Sequence, residues 1–314
     1  MKLSSASGTS NSVSSRGISN VWKYRIFYAM LIPGILYIIL FQFLPMVYAV
    51  IAFKDFRIFR GVWDSPWVGF HHFITFFQSP SFGRVMGNTI TISLMHIVFG
   101  FPIPIIFALM LNEVRVSAYK RTIQTIAYLP HFLSWVVIAG FVNTIVSPTD
   151  GVLNLLLNQL GFDSIFFMGD NRYFRGVLVV SNIWREMGWS AIIYLAALAG
   201  IPLEMYEAAT IDGSSKLQKL FYITLPSLIP TITILLLLRM GGILHAGFEQ
   251  IFVMYNPRVY ATADIIDTYV FRVGIQNTDF GFATAVGLFR SVIAFFMLTI
   301  FNLLARKFGQ DSLF

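Results

Sequence analysis

The sequence predicts an all-α integral membrane protein with six transmembrane helices. Of its 314 residues, 56% are hydrophobic and only 12% are charged. A soluble domain carries about 25% charged residues, so a chain of this composition cannot cover a water-exposed surface with polar side chains. In addition, the apolar residues fall into six long stretches, and polar connections separate them. Both features are typical of a protein whose solvent is the bilayer.

A transmembrane helix needs roughly 20 mostly apolar residues. Six stretches meet this length, at about residues 26–53, 89–112, 122–146, 176–199, 223–247 and 283–305. Proline lies inside the first two stretches, at Pro33, Pro45, Pro102 and Pro104. Transmembrane helices tolerate proline because neighbouring helices satisfy the backbone groups that it frees. We therefore expect all six stretches to be helical.

The two ends of the chain are predicted to be tails. The first 20 residues are rich in Ser and Gly and contain few large apolar residues. Because such a segment cannot bury enough apolar surface to fold, we expect residues 1–25 to be a disordered tail. The segment does not read as a signal peptide, since no short apolar stretch follows a charged start. A six-span domain then occupies residues 26–306, and residues 307–314 form a second tail.

The charges of the connections predict the orientation. The two short connections, 113–121 and 200–222, are both basic. The positive-inside rule applies best to short loops and places both in the cytoplasm. The long connections, 54–88, 147–175 and 248–282, then lie outside, and both termini lie in the cytoplasm. Residues 151–161 within these outer segments have the apolar spacing of a short amphipathic helix. We expect this helix to cover the bundle, with direct substrate contact as the alternative.

Several function classes are excluded by motifs that the sequence lacks. There is no cysteine, which excludes disulfides, thiolate metal sites and thiol catalysis. The net charge of +7 is scattered rather than gathered in a basic stripe, so nucleic acid is not an expected partner. No phosphate-binding loop, zinc-protease motif or nucleophile elbow occurs. The histidines lack metal-ligand spacing, and His71 and His72 are expected to be solvated. No catalytic or metal site is predicted.

Residues 207–226, EAATIDGSSKLQKLFYITLP, form a polar island in the connection between spans four and five. A short helix is expected up to the turn signal Asp212-Gly213. A second helix then starts, with Ser214 or Ser215 as its cap. The result is a helix–turn–helix across the cytoplasmic face, whose small alanines would let another surface approach closely. The alternative is an interfacial hairpin that only anchors the two spans.

This island resembles the EAA loop of permease subunits in ATP-binding-cassette importers. The residues that carry the resemblance are Glu207, Ala208, Ala209, Asp212, Gly213, Leu225 and Pro226. The segments AYKRTIQTIAYLPHFLSW, GVLNLLLNQLG and NIWREMGW extend it to type I carbohydrate importers. Within these, the chain is most similar to the six-span polysaccharide and oligosaccharide permeases of the lipoprotein/alginate-permease kind.

The resemblance implies a type I importer permease fold with a cytoplasmic coupling helix at residues 200–222. It implies alternating access driven by an ATPase dimer on the cytoplasmic face, which uses ATP and Mg. This subunit itself would carry no cofactor and no enzymatic activity. The other implied partners are a second homologous permease, an extracellular or periplasmic sugar-binding protein, an oligosaccharide substrate and membrane lipid. The implied location is the bacterial cytoplasmic membrane.

Ionisable residues inside spans are costly and mark functional sites. Arg185, Arg239 and Arg290 lie at a similar depth, roughly 10–14 Å from the outer ends of their predicted spans. They predict a shared polar cavity, in which guanidinium groups bind sugar hydroxyls or a uronate carboxylate. The other interpretation is that these charges pair and hold the helices in register. In related sugar permeases substrate contacts cluster in spans five and six, which adds Glu249 and Gln250 to the predicted path.

Two other functions remain open from the residues alone. An ion-coupled secondary transporter usually has internal symmetry between two halves, and none is evident here. An intramembrane enzyme would need catalytic carboxylates or histidines gathered near one interface, and no such cluster occurs. An assay of ATP hydrolysis with and without partner subunits separates these alternatives from an ATP-driven importer.

Overall fold

The computed structural model describes residues 24–307, and within this range the chain forms helices and no β-strand. The predicted tails therefore lie outside the described residues, apart from their innermost positions. We label the longer helices in chain order as α1 Arg25–Phe53, α2 His71–Gln78, α3 Phe82–Glu113, α4 Ser117–Phe132, α5 Trp135–Ile145, α6 Val152–Gln159, α7 Phe174–Ala199, α8 Leu203–Ile211, α9 Lys216–Gly241, α10 Phe248–Met254, α11 Ile266–Val270 and α12 Phe280–Lys307.

The described helices allow up to six membrane crossings. By length and composition, α1, α3, α9 and α12 can each cross a membrane. Two bent pairs, α4 with α5 and α7 with α8, add up to two more. With 26 residues, α7 is about 39 Å long, more than the hydrocarbon thickness of roughly 30 Å. The predicted spans thus correspond to α1, α3, the pair α4–α5, α7, α9 and α12.

The third span differs from the single helix expected at residues 122–146. Its two halves, α4 and α5, meet at an angle of 106°. The chain is extended at Leu133 and Ser134, directly after a 3₁₀ turn that contains Pro130. The Ser134 side chain accepts a hydrogen bond from the backbone N–H of Val137 and caps the new helix. The proline cannot donate a helical hydrogen bond and the cap restarts the helix, which together account for the break.

The fifth span is also displaced from its expected position at residues 223–247. Helix α9 begins at Lys216, so the second half of the polar island and the span form one helix. It ends at Gly241 rather than at residue 247. After that the chain turns, and Gly247 adopts a φ of +89°, a conformation that favours glycine. The outer part of the expected span is therefore a turn followed by α10.

The centre of the fold is α7, which packs against α3, α4 and α9. The approach to α4 is so close that a Cβ atom at Gly188 would lie 2.1 Å from the carbonyl oxygen of Ala127. Two apolar clusters fill the interior on either side of this level. One cluster includes Ile138, Leu178 and Ile251, and the other is built around Tyr194.

Exposed apolar surface covers most of α1. None of the residues from Arg25 to Val47 is buried, although nearly all are large and apolar. A helix that is apolar on all sides suits lipid or another protein within the membrane. This surface agrees with the bilayer as the solvent that the composition predicted.

The long connections that the sequence predicts to lie outside are folded rather than extended. The amphipathic helix expected at residues 151–161 is α6, and its buried Asn154 donates to the carbonyl groups of Ser147 and Ile165. The expectation that His72 is solvated is wrong. Its ring is buried, and Nε2 lies 3.0 Å from the carbonyl oxygen of Lys54, because α2 packs against the end of α1.

Candidate coupling surface and substrate path

The polar island forms the hairpin that the sequence predicted. Helix α8 ends at Ile211, and Gly213 takes a φ of +73° in the turn. The N–H of Ser214 donates to the carbonyl of Ala209, which closes the end of α8. Of the two possible caps, Ser215 is the one used, and it forms a reciprocal capping box with Gln218.

Two side-chain hydrogen bonds hold the hairpin together. The hydroxyl groups of Tyr206 and Thr224 lie 2.9 Å apart. Lys219 donates to the hydroxyl of Thr210 over 2.7 Å. These contacts tie α8 to the first turns of α9, so a force applied to α8 reaches the fifth span. We call this unit, residues 203–226, the coupling hairpin.

Much of the surface of the coupling hairpin is exposed to solvent. Glu207, Ala208, Asp212 and Gly213 are exposed, and Ala209 is half-buried. Within residues 24–307, Glu207 forms no hydrogen bond or ion pair. An open depression between α8 and α9 is lined by Met205, Ala208, Ala209, Asp212, Ser214, Gln218, Lys219, Tyr222 and Ile223. A face of small residues beside an exposed carboxylate that has no partner among residues 24–307 is suited to contact with another protein.

The Leu225-Pro226 pair lies inside α9 and not at the start of a separate membrane helix. A π-helical turn, Leu220–Thr224, directly precedes it. Pro226 has no N–H to donate to the preceding turn, and such a wider turn is a usual way to accommodate the gap. The pair thus marks the point at which the coupling hairpin becomes the membrane helix.

Arg185 is bound to the break in the third span. Its guanidinium group donates to the carbonyl of His131 at 3.2 Å and to that of Leu133 at 3.4 Å, and it pairs with the neighbouring Glu186. It also lies 4.9 Å from the ring of Trp135. Glu186 in turn contacts Nδ1 of His131 at 3.1 Å. The break frees carbonyl groups within the membrane, and Arg185 satisfies them.

Arg290 is likewise paired. It forms a hydrogen-bonded ion pair with Asp267, which joins α12 to α11. Both side chains are largely buried, with exposed fractions of 25% and 15%. For Arg185 and Arg290, the geometry therefore matches the interpretation that charges hold helices in register.

Arg239 differs from the other two arginines. In the described part of the chain it has neither a hydrogen bond nor a carboxylate within salt-bridge distance. It lines two cavities. One, of about 210 Å³, lies between α3, α7 and α9 and has Asn182, Glu186, Ser190 and Tyr194 on its walls. The other, of about 10 Å³, is lined by Ser93, His96, Ile97, Gly242, Ile243 and His245. Neither cavity is lined by Arg185 or Arg290, so the three arginines do not share one cavity.

The two residues predicted at the outer end of span five point in different directions. Glu249 is exposed on the first turn of α10. Gln250 is fully buried, and its amide donates to the carbonyl of Leu178 at 2.7 Å and to the hydroxyl of Ser181 at 2.9 Å. Gln250 therefore fastens α10 to α7, and Glu249 is the member of the pair that faces an open surface.

A buried polar cluster beside Arg239 was missed by the sequence analysis. Ser93 Oγ, His96 Nε2 and Gln250 Oε1 are buried without a hydrogen-bond partner among the described residues. A Cβ atom built on Gly247 would lie 3.5 Å from Gln250 Oε1 and 4.0 Å from His96 Cε1, so the two side chains converge there. The signal that was available is His96 itself, an ionisable residue within a predicted span.

Comparisons with known proteins agree with this architecture. Residues 100–310 match the family model described as the binding-protein-dependent transport system inner membrane component. The chain is 44% identical to the protein LplB of Bacillus subtilis (strain 168), over 91% of this chain and 90% of LplB. It is 38% identical to the polygalacturonan/rhamnogalacturonan transport system permease protein YteP of the same organism, over 93% of this chain and 91% of YteP.

A solved structure has the same fold. It is described as a bacterial alginate ABC transporter in complex with an alginate pentasaccharide-bound periplasmic protein. The matching chain is 40% identical, and the similarity covers 95% of this chain and 100% of that one, with a TM-score of 0.88. The family match covers more than half of the chain, and both relatives exceed 30% identity over most of their length. The chain therefore belongs to the family of binding-protein-dependent transport system inner membrane components, the permease subunits of ATP-binding-cassette importers.

Proposed function

We propose that this chain forms one half of the transmembrane channel of an ATP-driven importer of oligosaccharides that are fragments of a polysaccharide. The observation that carries the proposal is the coupling hairpin, a braced polar element with an unpartnered Glu207 in an otherwise apolar protein. The polymers named for YteP and for the alginate transporter support a saccharide as the substrate.

The proposed complex contains partners that the hairpin and the relatives suggest. An ATPase dimer that uses ATP and Mg docks on the coupling hairpin, and a second, similar permease completes the channel. A sugar-binding protein delivers the substrate from the outer side, as the complex of the alginate transporter with its periplasmic protein suggests. The chain would lie in the bacterial cytoplasmic membrane, with both termini in the cytoplasm.

The proposed mechanism is alternating access. ATP binding closes the ATPase dimer and moves the coupling hairpins, and the hydrogen bonds between α8 and α9 carry that movement into the fifth span. The channel then opens outward and accepts sugar. ATP hydrolysis resets it. The proposed path runs along the exposed Glu249 and the larger cavity beside Arg239, whereas Arg185, Gln250 and Arg290 support the helices around it.

The test is uptake of labelled oligosaccharide by proteoliposomes that contain the complete complex and its binding protein. We expect uptake to require ATP on the side of the membrane that carries the ATPase. Uptake should persist when ionophores remove all ion gradients. Uptake that follows an ion gradient without ATP would make the protein a secondary transporter. Chemical conversion of a lipid or sugar by this chain alone would make it an enzyme.

Glu207→Lys tests the coupling hairpin within the same assay. Because Glu207 has no partner among residues 24–307, the substitution should leave membrane insertion and thermal stability unchanged. It should prevent co-purification of the ATPase or abolish uptake. Glu113→Lys, at the exposed cytoplasmic end of α3, is the matched control and should retain uptake. Normal uptake by both variants would contradict the assignment of α8 as the coupling element.

A further inference from the structure

Arg239 lacks the counter-charge that the other arginines in the spans possess. Glu186 is bound by Arg185 and His131, and Asp267 is bound by Arg290. No carboxylate of the described chain lies within salt-bridge distance of Arg239. Since an unpaired charge within a membrane span is costly, the exposed guanidinium group of Arg239 is available to an anion that comes from outside this chain.

Arg239 is exposed on the described chain, and its position falls within the fifth span. Glu186, on the wall of the same cavity, is 13 residues from the cytoplasmic end of α7, which corresponds to about 20 Å. Arg239 is also in the last turn of α9, where the helix dipole offsets part of its charge. A dipole end amounts to roughly half an elementary charge, so a positive excess remains.

The surroundings of Arg239 suit a sugar that carries an acid group. In the larger cavity, Asn182, Ser190 and Tyr194 are neutral groups that can bond hydroxyls. On the other side lie His96 and Ser93, which are 4% and 5% exposed and have side-chain atoms without a hydrogen-bond partner. The one acidic residue of the two linings, Glu186, is already paired. A planar guanidinium group with no internal partner is the preferred receptor for a carboxylate, which it can bind through two parallel hydrogen bonds.

We propose that Arg239 is the residue that recognises the carboxylate of a uronate unit during passage, and that the importer therefore carries acidic oligosaccharides. The proposal rests on the proposed function and names its substrate class. The polymers named for two relatives, polygalacturonan and alginate, consist of uronic acids, which fits this chemistry. The counter-charge is thus brought by the substrate and is present only while a substrate occupies the cavity.

The experiment compares Arg239→Gln and Arg239→Lys with the unchanged complex in proteoliposomes of matched assembly. Two substrates are used, both first verified as ligands of the cognate binding protein: a uronate oligosaccharide and one without carboxylates. Arg115→Gln, at an exposed cytoplasmic position, is the control. We expect Arg239→Gln to lower the maximal uptake rate of the acidic substrate about tenfold or more, as for loss of one hydrogen bond to a charged group. Arg239→Lys should have an intermediate effect.

Other measurements separate recognition from a structural role. The concentration of loaded binding protein at half-maximal rate and the basal ATP hydrolysis should be unchanged in the Arg115→Gln control, and both are measured in the Arg239 variants to normalise their uptake rates. In both Arg239 variants, uptake of the acidic substrate should fall much more than uptake of the neutral substrate. Equal losses for both substrates would overturn the proposal and indicate pairing with lipid or with the helix end. Failure of Arg239→Gln to assemble would place the counter-charge in the second permease and overturn it as well.

Two results distinguish this inference from the proposed function. If the unchanged complex imports no oligosaccharide in an ATP-dependent manner, the proposed function itself fails. If the unchanged complex imports only neutral oligosaccharides, or if Arg239→Gln imports acidic ones at the normal rate, the importer function stands and the carboxylate site is wrong.

Discussion

Single residues decide the conformation of the coupling hairpin. Gly213 has a φ of +73°, and no atom lies within 4 Å of a Cβ placed there. The requirement for glycine is therefore set by the backbone and not by space. Ser215 and Gln218 then satisfy the first N–H groups of α9 on an exposed surface. These local rules operate without help from the rest of the fold, so the sequence predicted the turn at Gly213 and limited the cap to Ser214 or Ser215.

Gly213→Val should distort the turn, because the left-handed conformation costs a residue with a Cβ roughly 1–2 kcal/mol and a β-branched residue more. We expect the subunit to insert normally and to lose uptake or the ATPase. Gly213→Asn is the control, since asparagine adopts this conformation more readily. The measurements are co-purification of the ATPase and uptake. A valine variant with full uptake would show that the shape of this turn does not matter for coupling.

Pairs of helices are held by buried polar contacts that join distant parts of the chain. Gln250 fastens α10 to α7, and Asp267 on α11 pairs with Arg290 on α12. Arg185 on α7 binds the carbonyl groups at the break between α4 and α5. The energetic value of each contact depends on its burial, because removing one partner leaves a polar or charged group unsatisfied in an apolar environment.

Gln250→Leu tests whether Gln250 is a fastening residue. The variant leaves the carbonyl of Leu178 without the amide that now donates to it. We expect a loss of about 1–3 kcal/mol in the free energy of unfolding, seen as a lower melting temperature of the purified subunit or complex. Ser227→Ala on the exposed side of α9 is the control. Unchanged stability together with lost sugar uptake would instead place Gln250 in the substrate path.

Arg290→Gln tests the pair between α11 and α12. The single substitution leaves Asp267 buried and unpaired, and we expect a loss of about 3–5 kcal/mol or failure to assemble. The double variant Arg290→Gln with Asp267→Asn removes both charges and should recover much of the stability. Thermal unfolding and yield of assembled complex provide the readout. If the double variant is no better than the single one, the two side chains do not form a functional pair.

At the scale of the whole molecule, the apolar surface and the charged connections determine how the chain sits in the membrane. The described helices permit six crossings, and the basic connections 113–121 and 200–222 then lie on one side. The coupling hairpin belongs to that side, and α2, α6 and the segment that contains α10 and α11 belong to the other. In the proposed complex, the ATPase and the sugar-binding protein therefore occupy opposite faces.

The orientation can be tested cleanly because the chain contains no cysteine. We expect Lys216→Cys, at the start of α9, to be protected from a membrane-impermeant thiol reagent added to intact cells stripped of their wall. Arg60→Cys, in an exposed outer segment, should react. Lysis should make Lys216→Cys reactive, which verifies that the introduced thiol is accessible. Labelling of position 216 before lysis would reverse the orientation.

The sequence by itself determined the class of protein, the approximate spans and the coupling hairpin. Hydropathy identifies the spans directly, because each helix that crosses the bilayer must be apolar for about 20 residues. The turn at Gly213 and the cap at Ser215 depend only on neighbouring residues. For the same reason, α6 was predictable from its apolar spacing.

Only the tertiary structure decided which charges are already paired. Arg185, Arg239 and Arg290 look alike in the sequence, but their partners lie on other helices or on backbone carbonyls that the break before α5 frees. The adjacent residues Glu249 and Gln250 likewise differ only in the direction that α10 gives them. The distance between an arginine and its partner depends on how the helices pack. Neither hydropathy nor the spacing of residues along the chain predicts that packing. That is why Arg239, the one of these three without a counter-charge among residues 24–307, could be identified only after the helices were assembled.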